Sequence, residues 1–132
     1  MQDSNLFLEN SPRLFINLSN HPISGWSEAQ LSEARKFGQL LDIVFPAVKA
    51  DWDKKDITHV AEEIVDHIRR IAPTPEKAAI HVMGEMTLTF CLVETLKSMG
   101  YRCLASTTER ESWFDEKGNK VSVFRFVRFR DY

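Results

Sequence analysis

Four short segments of this chain gather groups that can do chemistry. Ser19-Asn20-His21-Pro22 sets a hydroxyl, an amide and an imidazole side by side. Such groups bind a phosphodiester or move a proton, and an unperturbed imidazole titrates near neutral pH. The same Asn20 and His21 would also serve simply to satisfy loop backbone. Met83-Gly84-Glu85-Met86-Thr87 reads as a strand-to-helix turn. There Gly84 lets a ligand approach the backbone, and free N–H groups favour anions. Glu85 would repel a phosphate set directly on the helix end, so it reads as an acceptor for ribose hydroxyls, as a base, or as a plain partner of the helix dipole. Ser106-Thr107-Thr108-Glu109-Arg110 brings three hydroxyls and a guanidinium suited to bidentate phosphate recognition, or is a plain Ser/Thr loop. Val121 to Arg130 mixes apolar and basic residues; strict alternation would split the arginines, whereas one bulge near Phe126-Val127 would put Arg125, Arg128 and Arg130 together. Such a strand can bind nucleotides by stacking and charge, or can be core on one side and solvated on the other.

Other combinations carry less. His59, Glu63 and His67 follow at i, i+4 and i+8, but the ends of that stripe lie two turns apart without a fourth ligand, so it reads as a solvated helix face. His81 alternates with Ile80 and Val82 and reads as a hydrogen-bonded core or edge residue. Cys91 and Cys103 are too few and too far apart for a disulfide framework or a Cys-rich metal site. The chain lacks a nucleophile elbow, a glycine-rich dinucleotide fingerprint and a zinc-ligand pattern. The expectation is no metal and no cofactor.

The elements that must position these segments follow from periodicity. Leu14 to Leu18 is a buried strand, followed by a loop from Ser19 to Trp26. Ser27-Glu28-Ala29-Gln30 is a capping box that opens a helix running to about Gly38. Leu40 to Phe45 is a second strand, stopped by Pro46. Asp56 reads as the N-cap of an amphipathic helix with a stripe of Ile57, Val60, Ala61, Ile64, Val65, Ile68 and Ile71. Pro73 and Pro75 end it. Ala78 to Met83 is a third strand, and a third helix carries Phe90, Leu92, Val93 and Leu96 to a left-handed C-cap at Gly100. Tyr101 to Ala105 is a fourth strand. A hairpin of Glu111–Phe114 and Val121–Phe129, turning through 115–120, closes the chain.

Strands alternating with helices specify an α/β domain: three-layer, Rossmann-like, a mainly parallel sheet with helices on both faces and a C-terminal β-hairpin. The simplest topology puts the second and third strands on either side of the first. Ligands then bind where the chain reverses, between loop 19–26 and turn 83–87. With 132 residues this is a single domain, with Met1 to Pro12 expected as a loosely ordered arm. A formal charge of −2 argues against coating a nucleic acid polymer, though a small anionic ligand in one pocket remains compatible. The polar start lacks a secretion signal and no apolar run is long enough to span a bilayer, so the expected place is the cytoplasm, without a membrane partner.

From Leu14 to Tyr132 the order of pieces resembles small CRISPR-associated Csx proteins with a Rossmann-like fold, among them ring nucleases. The resemblance is carried by Phe15-Ile16-Asn17-Leu18-Ser19-Asn20-His21-Pro22 before a helix with Gln30, by Met83-Gly84-Glu85, by Ala105-Ser106-Thr107-Thr108-Glu109-Arg110, and by the ending Val123 to Tyr132. It implies a homodimer that binds cyclic oligoadenylate and cleaves it without metal, a ribose 2′-OH attacking its own phosphate. It further implies Asn20 and His21 at the scissile linkage, with Ser19, Trp26, Gly84, Glu85, Thr87, Ser106, Thr107, Thr108, Arg110 and Arg128 as ligand contacts. A binding-only sensor and a protein-interaction subunit are the alternatives.

Overall fold

The apolar run that starts at Leu14 becomes the central strand because it can be buried on both faces. In the computed structural model, which describes residues 11–132, β1 (Leu14–Ser19) lies between β2 (Gln39–Val44) and β3 (Ala78–Met83), and both neighbours run parallel to it. Beyond β3 come β4 (Arg102–Phe114), parallel, and β5 (Lys120–Asp131), antiparallel, giving the order β2-β1-β3-β4-β5. This is the expected Rossmann-like α/β sheet, and its order reverses between β1 and β3. The expected arm at residues 1–12 falls largely outside the described residues.

Helices cover both faces. On one, α2 (Lys54–Ile71) and α3 (Met86–Ser98) bury Ile57, Ala61, Val65, Ile68, Leu88, Leu92 and Leu96 against Ile16, Leu18, Ile80 and Val82. On the other, α1 (Glu28–Arg35) packs Ala34 and Leu31 over Phe15, Ala79, Leu104 and Phe129, with Trp26 beside them. Among the described residues, no helix is long and apolar enough to cross a membrane.

Local chemistry explains most boundaries. Ser27 Oγ accepts from the Gln30 N–H at 3.2 Å, the serine half of the expected box. The end of α3 is a Schellman motif: Gly100 has φ +91°, the Tyr101 N–H reaches Leu96 O and the Gly100 N–H reaches Lys97 O. The N-cap of α2 is Asp53 rather than Asp56. Asp56 instead occupies the third helical position and returns a bond to the Asp53 N–H, so the two carboxylates cap each other's backbone.

The larger correction is in the C-terminal third. Ser106 to Arg110 do not form a loop; β4 runs unbroken to Phe114, because each residue finds an antiparallel partner on β5 and β-branched Thr107 and Thr108 suit a strand. Of the two arrangements open to the last strand, the bulged one is present. Thr107 faces Arg128 while Thr108 faces Phe126, leaving Val127 as the extra residue. That insertion puts Arg125, Arg128 and Arg130 on one side and Phe126 beside Phe129 on the other, ring centroids 4.9 Å apart. The hairpin turns through Asp115, whose Oδ1 accepts from the N–H groups of Lys117 and Asn119.

Gly84 is explained by packing. A Cβ built there would lie 2.4–2.6 Å from the outer carbons of the Phe45 ring, which is buried in the core. Gly84→Ala should therefore cost on the order of 1–3 kcal/mol in urea unfolding through overpacking. In a Phe45→Leu background the same substitution should cost measurably less; an equal cost in both backgrounds would refute the ring as the cause.

Candidate functional site

Polar residues in the middle of apolar strands need partners, because an unpaired buried polar group costs about 1–3 kcal/mol. Asn17, Asp42 and His81 sit at paired positions of β1, β2 and β3 near the carboxyl ends of those strands, and all three side chains point toward the α1 face. They join into one line across the sheet. Asn17 Nδ2 donates to Asp42 Oδ1 at 2.9 Å, Asn17 Oδ1 lies 2.8 Å from His81 Nδ1, and His81 Nε2 lies 3.1 Å from Ser106 Oγ on β4. Ser19 Oγ donates to Asn17 Oδ1 at 2.8 Å.

The line also fixes the loop above it. The His21 carbonyl accepts from Asn17 Nδ2 at 2.8 Å and from the Trp26 indole N–H at 3.0 Å, with Ser19 Oγ 3.1 Å away. The Ile23 N–H donates to the Asp42 carboxylate at 3.2 Å, and the Asn20 N–H donates to Met83 O at 3.3 Å. Loop 19–26 and turn 83–87 are thus in contact, as the topology requires. The side chains of Asn20 and His21 stay exposed at the mouth of the crevice.

These bonds determine the protonation of His81. Asn17 Nδ2 faces two oxygens, so Oδ1 is the atom turned to the histidine and accepts the Nδ1–H. Nε2 is then unprotonated and accepts from the Ser106 hydroxyl. Burial pushes the His81 pKa down to about 4, and the nearby charge of His21 adds to the effect. The ring is only 2% exposed, stacked on Phe15 and edge-on to Trp26 and Phe129. It is a fixed, neutral acceptor at physiological pH.

The other expected residues divide. Ser19, Trp26 and Ser106 belong to this cluster, and Asn20 and His21 border it. Glu85 caps α3, accepting from the N–H groups of Thr87 and Leu88 and from the Thr87 hydroxyl, which holds its carboxyl below the usual range. Those N–H groups are therefore engaged by an anion of the chain itself, and Thr87 with them. Thr107 Oγ1 bonds the backbone of Arg128, and Thr108 is exposed opposite Phe126. Arg110 stands four residues beyond Ser106, roughly 13 Å along the strand, where it donates to Ser122 Oγ. Arg128 is exposed and donates from Nε to the Phe129 carbonyl. Neither arginine borders the crevice within this chain. Asn17 and Asp42 were missed, although each interrupts an apolar strand run.

Among the described residues, no group of three or more His, Cys, Asp or Glu side chains is placed to hold a metal ion. His59 Nε2 lies 3.0 Å from Glu63 Oε1 on an exposed face of α2. A hollow of about 1000 Å³ lies on the α2/α3 side of turn 83–87 between Trp52, Ile57, Met86, Phe90 and Tyr132, and its lining is mostly apolar. The polar chemistry is on the opposite side of the sheet.

The family model for the uncharacterized protein MJ1673 family matches residues 13–130 of the chain. No curated protein and no solved structure matches it.

The state of His81 has a measurable consequence. Unfolded histidine titrates near 6.5, so between there and about 4 the unfolded chain holds the extra proton. Stability is then full above pH 6.5 and is lost as the pH falls toward 4, by up to about 3 kcal/mol. Urea unfolding at pH 7, 5.5 and 4.5 should show this loss, and His81→Gln should flatten it. Nitrogen chemical shifts at pH 7 should report the Nδ1–H tautomer; an Nε2–H signal would reverse the direction of the line.

Proposed function

The chain belongs to the MJ1673 family, and on that premise we propose that it binds cyclic oligoadenylate at the β1/β3 crevice and opens the ring without a metal ion. The observation that carries the reading is the rigid seat of loop 19–26. The Asn17 amide and the Trp26 indole N–H hold the His21 carbonyl, and the exposed His21 and Asn20 side chains stand beside the crevice where sheets of this order bind ligands. The resemblance of this loop and of the C-terminal strands to Csx ring nucleases supplies the substrate class.

In the proposed step a ribose 2′-oxygen attacks the adjacent phosphorus and the bond to the 5′-oxygen breaks. His21 takes the 2′-OH proton, and the leaving 5′-oxygen receives one. The product is a linear isomer ending in a 2′,3′-cyclic phosphate and a 5′-hydroxyl, so no water, oxidant or metal enters the balance. Asn20 orients the linkage, and much of the rate comes from that alignment. The expected place is the cytoplasm, and the working form is a homodimer. In support of the dimer, the ribbon formed by β4 and β5 leaves Phe114 72% and Phe124 68% exposed, more apolar surface than one chain usually leaves bare.

Incubation with cyclic tri-, tetra- and hexa-adenylate, with and without EDTA, tests the reading. A chromatographic shift without change of mass, insensitive to EDTA, is expected. His21→Ala should slow single-turnover cleavage on the order of 100-fold and leave affinity unchanged. Tight binding without turnover would remove the nuclease and leave a sensor. Absence of binding would remove both and favour an interaction subunit. Light scattering should report a dimer, and a monomer at high concentration with and without ring would count against the paired form.

A further inference from the structure

The line across the sheet ends on a group whose hydrogen-bonding role it decides. A serine hydroxyl is ordinarily free to rotate and serves as donor or acceptor alike. Ser106 has lost that freedom. Its Oγ has two neighbours that could take its proton, His81 Nε2 at 3.1 Å and Met83 Sδ at 3.0 Å. A thioether is the weaker acceptor, and the Ser106 N–H already points at the same sulfur from 3.2 Å. The imidazole nitrogen is unprotonated for the reason given above, so it receives the proton. What Ser106 can then offer to the crevice is a lone pair.

We propose that Ser106 is a specificity-determining residue that accepts a hydrogen bond from a ribose 2′-hydroxyl, and that His81 is the positioning residue that makes it an acceptor. This rests on the cyclic oligoadenylate reading. The ligand group must be a donor: a phosphate oxygen has no proton to give, and would meet the lone pairs of Ser106 with repulsion. Along the ribose edge the donors are hydroxyls, and the 2′-OH is the one absent from deoxyribose. Ser106 thereby distinguishes a ribonucleotide ring from its 2′-deoxy counterpart. A half-buried acceptor left unpaired by the wrong ligand discriminates against that ligand.

His81 can hold this role because it has no alternative arrangement. Its Nδ1–H is fixed on Asn17, and Phe15, Trp26 and Phe129 pack around the ring at centroid distances of 6.1, 5.3 and 5.5 Å. Asn17 in turn is held by Asp42 on the neighbouring strand. Selection by Ser106 therefore traces back through three strands.

The test is binding, measured by calorimetry with cyclic tri-, tetra- and hexa-adenylate and with the all-2′-deoxy counterpart of each. Wild type should prefer the ribose ring by on the order of 10-fold at this contact. Ser106→Ala, a small change at a half-buried position, should lose that preference by weakening the ribose ring alone. His81→Phe should lose it too, and the double variant no further. His81→Gln, which keeps a donor and an acceptor, should restore part of it. Retained preference in Ser106→Ala, or equal binding of both rings by wild type, would overturn this assignment while leaving the oligoadenylate reading intact. Failure of every ring to bind would overturn both.

Discussion

The carboxamide of Asn17 carries the organisation of the sheet's working edge. At 1% exposure it has no water to fall back on, and its two ends meet four partners: Asp42, the His21 carbonyl, Ser19 and His81. An amide can satisfy this set because it holds two donors and two lone pairs in fixed opposite directions. Reversing or removing it would leave several buried groups unpaired at about 1–3 kcal/mol each. The seat of loop 19–26 and the tautomer of His81 both depend on that one orientation.

The same edge is opened by the way β3 and β4 part. They pair only from Ala79 with Arg102 to His81 with Leu104, and then β4 leaves to follow β5. Backbone groups that a longer ladder would have used find substitutes. The Ser106 N–H turns to the Met83 sulfur, and the Val82 carbonyl accepts from the Tyr132 hydroxyl at 2.5 Å. A gap with satisfied walls is what allows a half-buried serine to stand beside a buried histidine without collapse of the strands onto each other.

Electrostatics divide this end of the molecule. The start of α3, which in many α/β folds receives a phosphate, is engaged here by the Glu85 carboxylate bonded to its N–H groups. Anion binding at that helix end would have to displace an internal anion. Across the sheet the line from Asp42 to Ser106 presents hydroxyl, imidazole and amide groups, with a single carboxylate at its far end. The groups beside this crevice are thus chiefly neutral and directional.

Local signals determined much of the architecture. The alternation of strand and helix patterns, with short right-handed crossovers, leaves few topologies, and the order with β1 between β2 and β3 is among them. Ser27, Gly100 and the turn at Asp115 act through neighbours in the chain, so residue type and spacing suffice to place them. Tertiary structure decided the rest. Ser106 to Arg110 could serve as a loop and becomes strand where β5 arrives beside it. The Phe45 ring packed against Gly84 comes from a distant part of the chain. The line through Asp42, Asn17, His81 and Ser106 joins residues 25 to 64 positions apart, and a slip of one residue in any strand would turn a member to the other face. Asn17, Asp42 and His81 each interrupt an apolar run visibly enough to be noticed, but hydrogen bonds are directional and short. Only the three-dimensional register of four strands could bring these atoms within reach of one another.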